Sequence, residues 1–208
     1  MKLISKQNLI IVLLCFCIPA FAVIGKLVKV SYGYSSFKQS CEADSFIRFT
    51  MVHRKFKTLV EKFEGTVKSF TVSGQISGKT FENPEVQFNV LDMDTDNTLR
   101  NHKMQEESLS AKHNPVITVS FGKQLNLGQQ TVTGNINILG NNKSITLPIL
   151  IEDDGSQYKA TGKTTVLLSE LGIPKPDFIS DAIVSLDDPV NLTYQVLISK
   201  SKLLSLNE

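Results

Sequence analysis

The feature that most constrains the fold is a segment, residues 132–149, in which apolar and polar side chains alternate on both sides of a short polar turn. Successive side chains of a β-strand point to opposite faces of its sheet, so this alternation indicates a strand with one buried face. The apolar residues that share a face before or after the turn are Val132, Ile136, Ile138, Ile145, Leu147 and Ile149. Between them, Gly-Asn-Asn-Lys at 140–143 is typical of a turn. The segment therefore predicts a β-hairpin with one apolar face.

Similar alternation recurs along most of the chain, and it predicts nine or ten strands in all. The further predicted strands lie near residues 28–34, 47–51, 67–76, 86–90, 117–121, 158–166, 182–186 and 190–198. Turn signals separate them at Ser77-Gly78, Asn83-Pro84, 126–128, 153–155 and 187–189. Short strands at this spacing predict an all-β domain, either a sandwich or a barrel.

Two segments have a pattern compatible with a helix. Residues 55–63 place Phe56, Leu59, Val60 and Phe63 at helical spacing. Residues 98–113 are polar, contain no glycine or proline, and stop before Asn114-Pro115. We expect one or two short helices beside the sheet.

The first residues have the form of a signal peptide. Two lysines precede an apolar run from Leu9 to Phe21, and Ala20-Phe21-Ala22 matches a signal-peptidase site. We predict a signal peptide over residues 1–22, one barrel or sandwich domain over 23–200, and a flexible tail over 201–208. Cleavage would leave no stable membrane span and would place the protein in the periplasm or outside the cell.

Charge and cysteine content limit the partners. The chain carries a formal charge of +2, and loss of the two lysines in residues 1–22 would bring it to zero. No basic excess then remains for nucleic acid. Cys41 is the one cysteine beyond residue 22, so it is either buried or able to pair between chains, and a homodimer is left open.

Reactive side chains are few. The three histidines, His53, His102 and His113, lack the spacing of a zinc site, and the acids at 92–96 lack the rest of a calcium loop. No nucleophile elbow, phosphate loop or dinucleotide fingerprint is present, and nothing around Cys41 and His53 supports a catalytic pair. We therefore predict a binding protein, with no cofactor or metal, rather than an enzyme.

Several motifs resemble the YceI-like family of periplasmic lipid-binding β-barrels in order and spacing. They are Ser45-x-Ile47-x-Phe49 with His53, Gly65-Thr66-Val67, Asp94-Thr95-Asp96-Asn97 with Arg100-Asn101, Asn114-Pro115-x-Ile117-x-Val119-x-Phe121, the 132–147 hairpin, and Leu171-Gly172-Ile173. The resemblance covers residues 45–198. It departs at 100–103, where the family's Arg-Asp-x-His reads Arg-Asn-His-Lys.

The resemblance implies a lipocalin-like antiparallel β-barrel of about eight strands whose apolar cavity holds a long-chain lipid. The cargo it implies is a polyisoprenoid, and we extend this to an isoprenoid quinone or a fatty-acid derivative. The expected ligand-binding residues are Ile47, Phe49, Met51, Phe88, Val90, Arg100, Asn101, Ile117, Val119, Phe121, Ile136, Ile138, Leu147 and Ile149. Arg100 and Asn101 would contact the head group. The alternative is a structural or interaction protein of the cell envelope with a filled barrel, since alternation alone does not separate a hollow barrel from a packed one.

Overall fold

The computed structural model describes residues 25–56, 58–176 and 184–201. The predicted signal peptide and residues 202–208 of the predicted tail lie outside these ranges. Thirteen strand segments occur in the described residues: β1 Lys26–Gly33, β2 Phe46–Lys55, β3 Leu59–Val67, β4 Ser69–Ser77, β5 Thr80–Asn89, β6 Met93–Asp94, β7 Val116–Ser120, β8 Leu125–Asn126, β9 Gly128–Ile138, β10 Asn141–Asp153, β11 Gln157–Leu167, β12 Val184–Leu186 and β13 Pro189–Ser199. The helical segments are α1 Phe37–Glu42, a 3-10 turn Val90–Asp92, α2 Thr98–His102, a π-helical segment Lys103–Ser108 and α3 Leu168–Leu171.

All the strands join one antiparallel sheet that curls into a barrel. The hydrogen-bonded order is β1-β4-β5-β7-β9-β10-β11-β13-β2-β3-β6, with β8 paired to β5 and β12 to β2. β3 and β4 lie near opposite ends of this order, yet only Lys68 separates them in the chain. The Lys68 N–H donates to the carbonyl of Asp92, and its own carbonyl accepts from the Tyr34 N–H, each at 2.8 Å. The two ends of the sheet therefore meet at Lys68.

The predicted all-β, lipocalin-like barrel class is confirmed, although the strands are more numerous than the eight expected. Ten segments have five or more residues, and β6, β8 and β12 have two or three. The additional segments arise where irregular backbone divides a pairing. Thus β7 and β8 both pair with β5 on either side of residues 121–124.

The hairpin predicted over residues 132–149 forms β9 and β10, with Ile136 opposite Lys143 and Val132 opposite Leu147. Its turn is shorter than predicted. Residues 141–143 belong to β10, and only Leu139 and Gly140 connect the strands, with φ of 53° and 70°. Two consecutive positive φ values give a turn whose twist matches that of the flanking strands, so the pairing continues up to the connection.

The predicted helix over 55–63 is wrong. β2 and β3 pair across this region, with His53 opposite Glu61 and Lys55 opposite Leu59, so the segment is a hairpin. Helical spacing indicates a helix only when the apolar residues share a buried face, and here Phe56, Leu59 and Val60 are exposed. Strand pairing along β2 therefore overrides the local pattern.

Two further expectations change in detail. The predicted helix over 98–113 forms only as α2 and the π-helical segment, which ends at Ser108. Asn83-Pro84, predicted to be a turn, lies inside β5, where Asn83 has a φ of 46° opposite a shift in register between Ser73 and Gln75. A bulge absorbs this conformation without ending the strand.

Two glycines make room for aromatic rings on the inner face of the barrel. Gly65 is the registered partner of Phe49, and a Cβ on Gly65 would lie 2.0 Å from the Phe49 ring. Gly162 is the partner of Tyr194, and a Cβ there would lie 2.2 Å from the tyrosine oxygen. Absence of a side chain at these positions leaves the room that each ring occupies on the neighbouring strand.

Candidate functional site

The barrel encloses a cavity of about 960 Å³ whose lining is mainly apolar. The wall consists of inward side chains of the long strands. Met104 and Leu168 close part of it from the helical segments, and Ile173 does so from the loop after α3. This volume lies within the range of small-molecule pockets, about 300–1,000 Å³. The interior is therefore hollow rather than filled by its own side chains.

Twelve of the fourteen sequence-predicted site residues line this cavity, so the alternation identified the inward face of most strands. They are Ile47, Phe49, Met51, Phe88, Arg100, Ile117, Val119, Phe121, Ile136, Ile138, Leu147 and Ile149. They come from β2, β5, β7, β9, β10 and α2, and Phe121 directly follows β7. Separate stretches of the chain thus meet around one apolar space.

The other two predicted residues are not part of the lining. Val90 lies in the 3-10 turn, where it is 1% exposed and its N–H donates to the Pro115 carbonyl. Asn101 faces a loop: its Oδ1 accepts from the Thr95 N–H at 2.8 Å and from the Thr95 hydroxyl at 2.6 Å. The role of Asn101 in this structure is to hold that loop.

Sequence reasoning omitted part of the lining. The helical spacing of residues 55–63 predicts a helix at Phe63, which lies in β3. The alternation of β11 and β13 predicts strand faces, but their inward residues are not among the expected ligand-binding residues. The latter set includes Tyr158, Ala160, Val166, Val190, Leu192, Tyr194, Val196 and Ile198. The alternating pattern of these two strands was the signal that could have identified them.

Tyr194 brings a hydroxyl group to the cavity wall, and this hydroxyl already has a hydrogen-bond partner in the protein. Its hydroxyl donates to the carbonyl of Pro148 at 2.6 Å, and burial raises the pKa of Tyr194 to about 12. The tyrosine therefore stays neutral, and its ring contributes apolar surface to the wall.

Charged side chains line the cavity beside the β2–β3 hairpin, and we refer to this region as the mouth. Nε2 of His53 lies 2.9 Å from Oε2 of Glu61, and Nζ of Lys55 lies 2.8 Å from the same oxygen. The Lys55 ammonium and the His53 ring hold the pKa of Glu61 below its usual range. The charge of Glu61 is thus offset by its two neighbours.

Arg100 also lies at the mouth. Its guanidinium forms no ion pair with a carboxylate of the described residues. Its Nη2 donates to the Thr95 carbonyl at 2.7 Å, and its Cζ lies 4.4 Å from the centroid of the Phe63 ring. Nε is buried and has no hydrogen-bond partner among the residues that the structure describes. Burial lowers the pKa of Arg100, while the charge of Asp96 opposes this. A guanidinium remains charged near neutral pH even so.

A polar network supports the loop before α2. Oδ1 of Asp94 accepts from the Asp96 N–H and from Nδ2 of Asn101, each at 2.9 Å, and Nζ of Lys68 lies 3.2 Å from Oδ2 of Asp94. Burial would raise the pKa of Asp94, but these donors outweigh it and hold the pKa below its ordinary value. The network fixes α2, and therefore Arg100, relative to the point where the sheet closes.

The described residues contain no cluster of three or more His, Cys, Asp or Glu side chains that could hold a metal ion. His102 and His113 are exposed. Cys41 lies on α1, half-buried, where its carbonyl accepts from Arg48 and burial raises the pKa of its thiol. No helix among the described residues has the length and hydropathy needed to cross a bilayer.

Comparison with known proteins gives a family match. The family model of the YceI-like domain matches residues 39–197. This match confirms the resemblance found in the sequence motifs. No curated protein matches the chain significantly.

Solved structures with a similar fold share little sequence with the chain. Burkholderia cenocepacia BcnA has a TM-score of 0.57 and 16% identity, with coverage of 74% of this chain and 96% of that chain. A polyisoprenoid binding domain from Saccharophagus degradans, implicated in plant cell wall breakdown, has a TM-score of 0.51 and 12% identity, with coverage of 76% and 96%. The Campylobacter jejuni YCEI protein has a TM-score of 0.51 and 19% identity, with coverage of 65% and 84%. At these identities the comparisons establish the fold that the four chains share.

Proposed function

Because this chain belongs to the YceI-like domain family, we propose that it is an exported protein that sequesters or carries a polyisoprenoid or another long-chain amphiphilic lipid in its barrel cavity. The observation that carries the proposal is the apolar cavity of about 960 Å³. The Saccharophagus degradans neighbour, a polyisoprenoid binding domain, supports the same class of ligand.

The lining suits a lipid chain on energetic grounds. Transfer of apolar surface out of water contributes about 0.8 kcal/mol per buried methylene group. A long tail can therefore bind tightly through burial alone, and the cavity supplies inward Ile, Val, Leu and Phe side chains for it. Affinity then depends on the length and shape of the tail more than on specific polar contacts.

The charged residues support a position at the mouth for the polar end of the ligand. A head group there would meet Arg100, whose guanidinium has no carboxylate partner among the described residues, and the His53, Lys55 and Glu61 cluster. Asn101, which we expected to contact the head group, instead orients the loop before α2. A quinone, an isoprenoid phosphate or a fatty-acid carboxylate each carries an acceptor for Arg100.

We also propose that the protein is exported and that it acts as a carrier rather than as an enzyme. The form of residues 1–22 supports export to the periplasm or the cell exterior, with the carrier acting without cofactor or metal. The filled-barrel alternative, an interaction protein of the envelope, requires a solid interior. A cavity of this size favours the carrier.

Placing a charge in the wall tests the proposal. Phe88→Arg puts a guanidinium into the apolar lining, whereas Gln87→Arg puts the same group on the exposed face of the same strand. We expect Phe88→Arg to abolish uptake of a fluorescent long-chain lipid and Gln87→Arg to leave it unchanged, with circular dichroism used to check the fold. Equal uptake by both variants would contradict the proposal.

A second pair of variants tests the volume without adding charge. Ala160 lines the cavity, so Ala160→Trp should reduce the space for the tail, while the adjacent Lys159 lies outside the lining. We expect uptake to fall in Ala160→Trp and to persist in Lys159→Trp. Phe121→Arg provides a further charge in the wall, at the residue that directly follows β7. Unchanged uptake in the folded Ala160→Trp and Phe121→Arg variants would remove these residues from the site.

A further inference from the structure

Three large apolar side chains stand in solvent at the tip of the β2–β3 hairpin. Phe56, Leu59 and Val60 are 68%, 53% and 49% exposed, and we call this set the rim patch. Isolated exposed apolar residues are common on proteins, but a group of them within five positions marks a surface that contacts something apolar.

The rim patch adjoins the mouth of the cavity. Lys55 and Glu61 flank it in the chain, and both line the cavity. Leu99 of α2 is 67% exposed and also lines the cavity, and the contact between Arg100 and Phe63 joins α2 to the same hairpin. Apolar surface therefore continues from the outside of the hairpin into the lining.

The charge of the hairpin differs from that of the whole chain. Residues 53–62 contain four lysines and arginines and a single acid, Glu61, while the chain as a whole carries only +2. Glu61 pairs with Lys55, and Arg54 pairs with Asp187 at 2.9 Å. Lys62 is exposed and forms no ion pair with the described residues. Exposed apolar side chains among basic ones are the chemistry that binds an anionic bilayer surface.

The backbone at the tip adds a further observation. Phe56 has a φ of 50°, in the left-handed region where glycine and asparagine are favoured and a bulky aromatic residue is strained. This position is thus occupied by a residue that suits neither the turn nor exposure to water. An apolar partner for the ring would account for it.

We propose that the rim patch docks the mouth of the barrel onto a lipid bilayer containing anionic lipid. Phe56, Leu59 and Val60 would enter the interface between head groups and acyl chains, and the exposed Lys62 would contact the lipid phosphates. The apolar path past Leu99 would then let a lipid pass between the bilayer and the cavity without crossing water. The transfer step rests on the proposed carrier function, whereas docking does not.

Vesicle binding tests the docking. The purified protein is sedimented with vesicles of phosphatidylethanolamine and phosphatidylglycerol, and with vesicles of neutral phosphatidylcholine alone. We expect binding to the anionic vesicles, and we expect Phe56→Ser/Leu59→Ser to lower the partition coefficient by roughly tenfold or more, since two apolar contacts are lost. Leu27→Ser is the matched control, because Leu27 is 61% exposed on β1 and does not line the cavity.

Each outcome separates docking from lipid uptake. Uptake of a fluorescent lipid dispersed in solution should persist in the double variant, since the cavity is unchanged. Binding of the double variant to anionic vesicles at the level of the wild type would overturn the docking proposal. The proposal would also be overturned if the double substitution abolished only self-association of the protein and left vesicle binding unchanged. Vesicle binding without any uptake of lipid from solution would instead overturn the carrier function and leave docking in place.

Discussion

The guanidinium of Arg100 lies over the ring of Phe63, with 4.4 Å between its Cζ and the ring centroid, and this contact joins α2 to the β2–β3 hairpin at the mouth of the cavity. Both side chains line the cavity. The ring offers its negative face to the cation, so a charge that has no carboxylate partner among the described residues is held at the entrance to an apolar space. The position is suited to the polar end of an amphiphile.

Replacement of Arg100 by Gln should discriminate between head groups. We expect Arg100→Gln to weaken binding of a long-chain fatty acid roughly tenfold, because a charge-assisted hydrogen bond to the carboxylate is lost. Binding of the alcohol with the same chain should change little. Competition against a fluorescent lipid measures both, with His102→Gln as an exposed control on the same helix. An equal loss for acid and alcohol would mean that Arg100 acts on the fold rather than on the head group.

The close approach of Phe49 to Gly65 predicts a large effect from one methyl group. A Cβ on Gly65 would lie 2.0 Å from the Phe49 ring, so Gly65→Ala should lower the free energy of unfolding by about 1–3 kcal/mol. Gly33 has no atom within 4 Å of an added Cβ, and we expect Gly33→Ala to be neutral or slightly stabilising. Urea unfolding compares the two variants. Equal stability of both would show that the ring moves freely out of the way.

Strain at Phe56 predicts a gain in stability. Asn tolerates a φ of 50° better than Phe, so Phe56→Asn should raise the free energy of unfolding by about 1 kcal/mol. Thr58→Asn, also exposed and near the same turn, should change it by less than about 0.5 kcal/mol. Thermal and urea unfolding measure both variants. A less stable Phe56→Asn protein would show that the ring packs against the protein instead of facing solvent.

The Asp94 network predicts how stability depends on acid. The pKa of the Asp94 carboxyl is lower in the folded protein than in the unfolded chain. The carboxylate therefore contributes to stability above the ordinary carboxyl pKa of about 4, and this contribution is lost as the pH falls through the pKa of the folded state. We expect Asp94→Asn to be less stable than the wild type by up to about 1 kcal/mol at pH 7. This difference should narrow at pH 3.

The partner of Asp94 supplies the control. Lys68 forms the ion pair with Asp94. In urea unfolding, the difference in the free energy of unfolding between the wild type and Lys68→Met should therefore also be smaller at pH 3 than at pH 7. A difference between wild type and Asp94→Asn that stays constant with pH would mean that the carboxyl is not stabilised as an anion.

The strands could be predicted because the period of two follows directly from strand geometry when one face is buried. The same logic failed at 55–63, where the apolar residues face solvent. Leu59 and Val60 are adjacent in β3 and both are exposed, so their spacing carried no information about a buried face. The spacing of apolar residues predicts secondary structure only where those residues share a buried face.

The inward-facing residues of the candidate site could be predicted from the sequence, but the presence of a cavity could not. Alternation identified the inward face of Ile117, Val119 and Phe121, but the same pattern describes a hollow barrel and a filled one, since it does not fix the distance between opposite walls. Arg100 and Asn101 are adjacent in the chain, yet consecutive helical residues point about 100° apart. One therefore lines the cavity while the other bonds the loop at Thr95.

The central claim is that the cavity holds a lipid, and native mass spectrometry of the purified protein, followed by organic extraction and identification of the extract, tests it most directly. We predict a stoichiometric adduct that extraction identifies as an isoprenoid, a quinone or a fatty-acid derivative. A bare polypeptide mass, together with failure to take up added long-chain lipids, would contradict the account.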